Sequence, residues 1–201
     1  MTRTDRLKIL YVLLLAGLGL LAWTVLVWLF PGRVWLGALL LAPPLLLPGR
    51  IQGAYFRPLF TARRSLDAGR PAEALEPLRT FIGELQAHPM RNWLLWLGYS
   101  IYTTSAEAMA WNNLGVAHTQ LGEWSAAREA LERALALDVA YPLPHVNLAR
   151  LALVDGDREQ AERHLATAKA LGYSGTMLDQ LLHEAQSLLA RIEGRAAPRG
   201  D

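Results

Sequence analysis

Apolar residues are concentrated near the start of the chain, where a long stretch carries no charge. The run from Ile9 to Phe30 has 22 residues, and fourteen of them are Leu, Ile, Val or Phe. As an α-helix this run would be about 33 Å long, which matches a hydrocarbon core of about 30 Å. A cleaved signal peptide has a shorter apolar region that ends at a small-x-small site, and this run offers neither feature. We therefore predict a retained membrane helix over about 9–30.

A second apolar segment follows the turn formed by Pro31, Gly32 and Arg33. Its charge-free part, 34–49, would be only about 24 Å long as a helix, but a continuation to residue 56 would cross the bilayer. Pro43 and Pro44 would kink that helix, so a re-entrant segment and a single-pass anchor are the alternatives. We predict a transmembrane helical hairpin, with a membrane anchor over 1–50 and a second segment over about 34–56.

The distribution of charge indicates how this hairpin is oriented. Residues 1–50 carry five cations and one acid, a net +4, whereas the remainder carries fifteen cations and seventeen acids, a net −2. Cations lie before the first apolar segment and after the second, so the positive-inside rule places both ends in the cytoplasm. Basic residues beside an apolar segment also favour an anionic lipid bilayer over nucleic acid as a partner. We expect a multi-pass protein of a bacterial inner (cytoplasmic) membrane, with a cytoplasmic C-terminal domain and no nucleic-acid partner.

Beyond the anchor, small and aliphatic residues recur with a period of 34. The equivalent pairs are Leu114/Leu148, Gly115/Ala149, Gly122/Gly156, Ala127/Ala161, Leu131/Leu165 and Ala134/Ala168. A 34-residue period with Trp111 and these small residues resembles the tetratricopeptide repeat, a helix–turn–helix unit. The resemblance implies two consecutive repeats over 108–175, with glycines ending the first helix of each.

Flanking segments complete the predicted array. Gly69, Ala74 and Leu78 align with the later copies and indicate a degenerate unit over 55–88, followed by an apolar insertion over 89–107. An amphipathic pattern over 176–193 predicts a capping helix that shields the last repeat, and 194–201 reads as a disordered tail. The predicted fold class is therefore all-α: a transmembrane hairpin, a short tetratricopeptide-like solenoid and a C-terminal capping helix.

The chain offers little of the chemistry that an active site needs. It has no Cys, and its five His are scattered along the sequence. The stretch 183–187, HEAQS, begins like a zinc-protease helix but has Ser187 where the second His would stand. We expect no enzyme activity, no metal, no cofactor and no small-molecule substrate.

The resemblance implies a concave groove lined by the first helix of each unit, where a protein or peptide partner would bind. The candidate groove residues are Arg63, Met109, Asn112, Asn113, Val116, Thr119, Leu143, Val146, Asn147 and Arg150. Asn side chains could bond an extended backbone, and Arg63 or Arg150 could pair with a carboxylate. The alternatives are that this face is simply exposed or that the 89–107 insertion covers it.

Two functional hypotheses follow. The first is a membrane-tethered adaptor or scaffold that mediates protein–protein interactions during assembly of a membrane or envelope complex. The second is an integral structural subunit, in which the hairpin packs against other membrane helices through small residues such as Ala38 and Ala42. Substitutions in the groove separate the two, because only the adaptor would lose its partner.

Overall fold

The structure is a computed structural model that describes residues 3–33, 35, 39, 50–91, 102–175, 180, 181, 183, 184, 186, 187 and 190. The regular elements within these residues are all helices, as the predicted fold class requires. The bounds are α1 Arg3–Leu29, α2 Arg57–Asp67, α3 Ala72–Ala87, α4 Ala106–Leu121, α5 Trp124–Leu137, α6 Pro142–Val154 and α7 Arg158–Ala170.

Helix α1 contains the first apolar run, and over Ile9–Leu29 its apolar residues lie on every side rather than along one stripe. The stretch Ile9–Leu29 is long and apolar enough to cross a membrane, and only 6% of its most apolar window is buried. It is therefore not a core helix, although a signal sequence would meet the same criteria of length and composition. Most of the second apolar segment lies outside the described residues, namely residues 34, 36–38 and 40–49. The hairpin therefore stays a prediction.

The remaining helices form three antiparallel pairs, α2–α3, α4–α5 and α6–α7, that pack side by side. The same turn ends the first helix of each pair. Gly69, Gly122 and Gly156 all have positive φ angles, of 70°, 81° and 78°. After each glycine a backbone N–H reaches back to a carbonyl five residues earlier, for example from Glu123 to His118 at 3.0 Å. This is the Schellman arrangement, which glycine adopts without a steric penalty.

Side chains cap two of the helix starts. Ser105 Oγ accepts a hydrogen bond of 3.1 Å from the backbone N–H of Ala108 and so caps α4, which begins at Ala106. Asp157 caps α7 in the same way through the N–H of Gln160, at 2.8 Å. These bonds satisfy backbone groups that the helix itself leaves without partners.

The core runs through all three pairs. Its first part contains large side chains of α2 and α3, including Phe81 and Leu78, packed against Ala110, Leu114 and Ala117 of α4. A second part joins Ala127 and Leu131 of α5 to Leu148 and Leu151 of α6. The third lies between α6 and α7 and includes Leu181, which is fully buried. The array is therefore continuous from α2 to the segment containing Leu181.

The two segments that flank the repeats are described only in part. Residues 92–101 of the predicted insertion and the whole of the predicted tail, 194–201, lie outside the described residues. Within the predicted capping helix, positions 180, 181, 183, 184, 186, 187 and 190 are helical. Leu181 of this segment packs against the buried side chains between α6 and α7, the last pair of the array.

Candidate functional site

The first helices of the three pairs lie next to one another and line an open cavity of about 380 Å³. Helix α2 contributes residues near its C-terminal end, and α4 and α6 contribute residues along their length. The segment after α7 closes one side with Glu184 and Ser187. The lining residues are Arg63, Leu66, Asp67, Asn112, Val116, Thr119, Gln120, Leu143, Val146, Asn147, Arg150, Tyr173, Glu184 and Ser187.

A row of hydrogen-bonded polar side chains crosses the floor of this cavity from α4 to the C-terminal segment. Asn147 Nδ2 donates to Asn112 Oδ1 at 2.9 Å, and Arg150 Nη1 donates to Asn147 Oδ1 at 2.9 Å. The other guanidinium nitrogen, Arg150 Nη2, donates to Glu184 Oε2 at 2.6 Å. The row links two repeat units to the capping segment, and it fixes the orientation of both Asn amides.

Burial divides the cavity residues into two groups. Asn112 is 2% exposed and Thr119 is 4% exposed, and the Thr119 hydroxyl donates to the Gly115 carbonyl at 2.8 Å within its own helix. These two side chains belong to the floor, where a ligand would meet little of their surface. Val116, Leu143, Asn147 and Arg150 are partly exposed, and Arg63 is exposed at the rim.

The charged residues of the cavity are already paired with each other. Arg63 Nε lies 3.1 Å from Asp67 Oδ1, one helical turn along α2. Arg150 is paired with Glu184, whose side chain is only 37% exposed. An incoming carboxylate would therefore have to share or displace an internal acid, and this cost is lower at the exposed Arg63 than at the half-buried Arg150.

Eight of the ten predicted groove residues line this cavity, and two do not. Met109 is partly buried against the core around Phe56 and Phe81, and Asn113 is buried without touching the cavity. The prediction that Asn side chains are open to an extended peptide backbone applies only to Asn147, because Asn112 lies beneath it.

Sequence reasoning missed the acid that completes the row. Glu184 lies 34 residues after Arg150, the same offset that relates the repeats, so it occupies the equivalent place in the capping helix. Extending the 34-residue alignment beyond 175 would have pointed to it. Leu66, Asp67 and Gln120 were also missed, since their place at the cavity depends on how α2 packs against α4.

A pair of histidines lies on the other side of α6, between α6 and α7. The Nδ1 atoms of His145 and His164 are 3.2 Å apart, and both side chains are partly buried. Burial lowers the pKa of His145, and the charge of His164 lowers it further. Burial also lowers the pKa of His164, with a smaller effect from Arg128 and Arg163. Both lowered pKa values favour the neutral rings, in which one Nδ1 can donate to the other.

Neither this pair nor the cavity forms a recognisable reaction centre. Among the residues that the structure describes, no cluster of three or more His, Asp or Glu could hold a metal ion. Buried His118 is bonded to Glu123, and it sits at the end of α4 as a packing residue.

Comparison with known proteins identifies part of the array. Residues 108–139 match the tetratricopeptide repeat family model. This tetratricopeptide repeat covers α4 and α5, the central helix pair, and so falls within the first of the two repeats predicted from the 34-residue period. No curated protein matches the chain. The tetratricopeptide repeat supports a role in protein–protein interaction, since such arrays present extended concave surfaces.

Proposed function

We propose that the chain is a membrane-tethered adaptor that holds a protein or peptide partner in its concave cavity. One observation carries the proposal: the cavity is lined by the first helices of three consecutive pairs, around a matched tetratricopeptide repeat. Its exposed rim mixes apolar Val116 and Leu143 with polar Asn147 and cationic Arg63, a combination suited to an extended peptide.

The partner that fits this rim best carries a carboxylate near one end of the bound segment. Arg63 is exposed, and its only described ion pair is the exposed contact with Asp67, which contributes little to stability. A partner acid could replace that contact at small cost, whereas Asn147 offers amide groups to the peptide backbone. Binding is non-covalent, and no catalytic step is assigned to the cavity.

The tether would be helix α1, supported by its length, its composition and its exposed apolar surface. Confinement to a bilayer raises the effective concentration of the array near membrane-bound partners. We extend the proposal to the hairpin and the cytoplasmic orientation, which would place the cavity close to an inner membrane during assembly of a membrane or envelope complex.

Photo-crosslinking in cells tests the groove. A photoreactive residue at Val116 or Leu143 should give a discrete intermolecular adduct, and one at exposed Glu132 on α5 should not. Arg63→Gln should reduce the adduct by up to about fivefold, because an ion pair at an exposed site contributes up to about 1 kcal/mol. Arg158→Gln is the matched control, since Arg158 is also exposed and pairs with an acid one turn later at 3.1 Å.

Two outcomes of the crosslinking experiment would contradict binding in the groove. Equal capture from Glu132, or equal loss with both Arg variants, would rule out the groove as the binding surface. Crosslinks confined to the chain itself would support the alternative of an integral structural subunit.

Extraction of membranes with alkaline carbonate, followed by intact-mass measurement, tests the tether. A retained anchor keeps the full-length chain in the membrane pellet, whereas cleavage of a signal sequence leaves a shorter chain that is extracted.

A further inference from the structure

Three arginines recur at seven-residue intervals just before and along α2: Arg50, Arg57 and Arg64. Residues 50–55 are helical, and α2 begins as a separate helix after its N-cap, Phe56. Arg57 and Arg64 are two turns apart in α2, so they lie on one side of that helix about 10 Å apart along its axis, and Arg50 precedes them in the helical stretch 50–55.

This arginine face also contains apolar surface. Phe60 lies between Arg57 and Arg64 on the same side of α2 and is 51% exposed. Ile51, in the helical stretch before α2, is exposed to the same extent. The opposite side of α2 is buried in the core through Phe56, Leu59, Ala62 and Leu66. The helix is thus held by the array on one side and presents alternating cations and apolar side chains on the other.

The charge of this face is not compensated by the protein. No acid occurs from residue 50 to residue 66, and the first acid, Asp67, pairs with Arg63. Arg70 pairs with Glu73. Within the residues that the structure describes, Arg50, Arg57 and Arg64 have no carboxylate at ion-pair distance. The exposed, uncompensated cations on α2 and just before it are complementary to a surface of negative charge.

We propose that this arginine face lies on the surface of an anionic phospholipid bilayer. Three observations favour lipid over an acidic protein or nucleic acid. The exposed Phe60 suits the headgroup boundary, where amphipathic helices bury their apolar side chains. Arg57 and Arg64 are spaced along a line parallel to the axis of α2. The face follows directly on the second apolar segment, which the sequence predicts to extend over about 34–56, so Arg50 would lie near the bilayer boundary and α2 just beyond it.

The docked helix would hold the array against the bilayer instead of leaving it on a loose tether. Each basic residue near an anionic surface strengthens association about fivefold, so removal of two should weaken docking about 25-fold. The inference rests on the membrane attachment proposed above, and it adds a fixed orientation of the array to that attachment.

The test uses the full chain in lipid nanodiscs with a fluorescent probe on α2. Because the chain has no Cys, Thr61→Cys provides a unique labelling site on the arginine face for an environment-sensitive dye. We expect the dye to shift to shorter wavelength in discs containing phosphatidylglycerol, relative to discs of phosphatidylcholine alone. Salt near 1 M should abolish the shift, since it shortens the Debye length to about 3 Å. A dye at Glu132→Cys should not respond to lipid charge.

Charge variants decide whether the arginines cause the shift. Arg57→Gln with Arg64→Gln should remove it, whereas Arg158→Gln with Arg163→Gln on α7 should leave it intact. All four residues are exposed, so neither double variant removes a core contact. Emission that is independent of lipid charge, or a shift that survives the first double variant, would overturn the proposal. A chain that does not co-purify with the discs would instead overturn the membrane attachment itself.

Discussion

Gly115 allows α4 and α5 to approach closely, and replacing it gives the sharpest test of the packing. A Cβ at this position would lie 2.7 Å from Leu131 Cγ and 2.8 Å from Leu131 Cδ2. It would also lie 3.2 Å from the carbonyl oxygen of Ala127. Leu131 is fully buried, so its side chain has little room to move away.

The magnitude follows from two opposing effects. Forcing an extra carbon into a packed core costs about 1–3 kcal/mol. Replacing Gly by Ala inside a helix gains about 0.5–1 kcal/mol. Gly115→Ala should therefore lower the free energy of unfolding by about 0–2.5 kcal/mol, and in no case raise it as the control does. Gly83→Ala is the matched control, because Gly83 lies within α3 and an added Cβ would meet no neighbouring side chain or helix within 4 Å. That substitution should raise the free energy of unfolding by about 0.5–1 kcal/mol.

The assay is urea unfolding of the full chain in detergent, followed by circular dichroism and by tryptophan fluorescence. Units of a repeat array can unfold separately, so free energies are compared where the two signals give one transition. In a double-mutant cycle, Leu131→Ala costs about 2–5 kcal/mol by itself but removes the clash. In that background Gly115→Ala should become neutral or stabilising. Equal stabilisation by Gly115→Ala and Gly83→Ala in the native background would refute the close approach of α4 and α5.

Three further outcomes are expected. The pKa values of His145 and His164 are lowered in the folded chain, so the stability they contribute is complete above about pH 6.5 and should decrease as the pH falls below it. Thermal unfolding at pH 7.5 and 5.5 measures this loss. His164→Gln should reduce the loss, whereas an unchanged pH dependence in that variant would contradict the pairing. Thr103→Val removes the 2.6 Å hydrogen bond from Thr103 Oγ1 to buried Asp138 and should lower the free energy of unfolding in urea by about 1–3 kcal/mol. Thr80→Val, at an exposed position, is the control and should change it little. Ser105→Ala removes the α4 cap and should cost about 1 kcal/mol, and restoration by Ser105→Asp but not by Ser105→Val would attribute the loss to the cap.

Local signals account for the parts of the fold that the sequence predicts well. A turn with positive φ favours glycine, so Gly69, Gly122 and Gly156 mark helix ends before any packing is known. Close helix contact requires a small residue, which Gly115 supplies at the position inferred from the 34-residue period. These requirements act on single residues or on neighbours within one unit, and they can be read directly from spacing.

The details of the cavity were less predictable because they depend on side chains from different units. Helical periodicity placed Asn112 on the correct helix face, but only the packing of α6 shows that Asn147 covers it. The pairing of His145 with His164 depends in the same way on the rotation of α7 against α6. Periodicity gives the face on which a residue lies, whereas its exposure and hydrogen-bond partner depend on the neighbouring helix.

The connection between α3 and α4 is a place where the chain can accept an insertion. The two helices pack directly against each other, and Gln86 Nε2 donates to Glu107 Oε1 at 2.9 Å across their ends. The residues between them therefore start and finish at points that the array already holds together. Doubling the length of such a connection costs only about 0.6 kcal/mol of closure entropy. We therefore expect that an insertion after residue 91, which leaves the contacts of Thr103 and Ser105 in place, would keep the register of the three pairs.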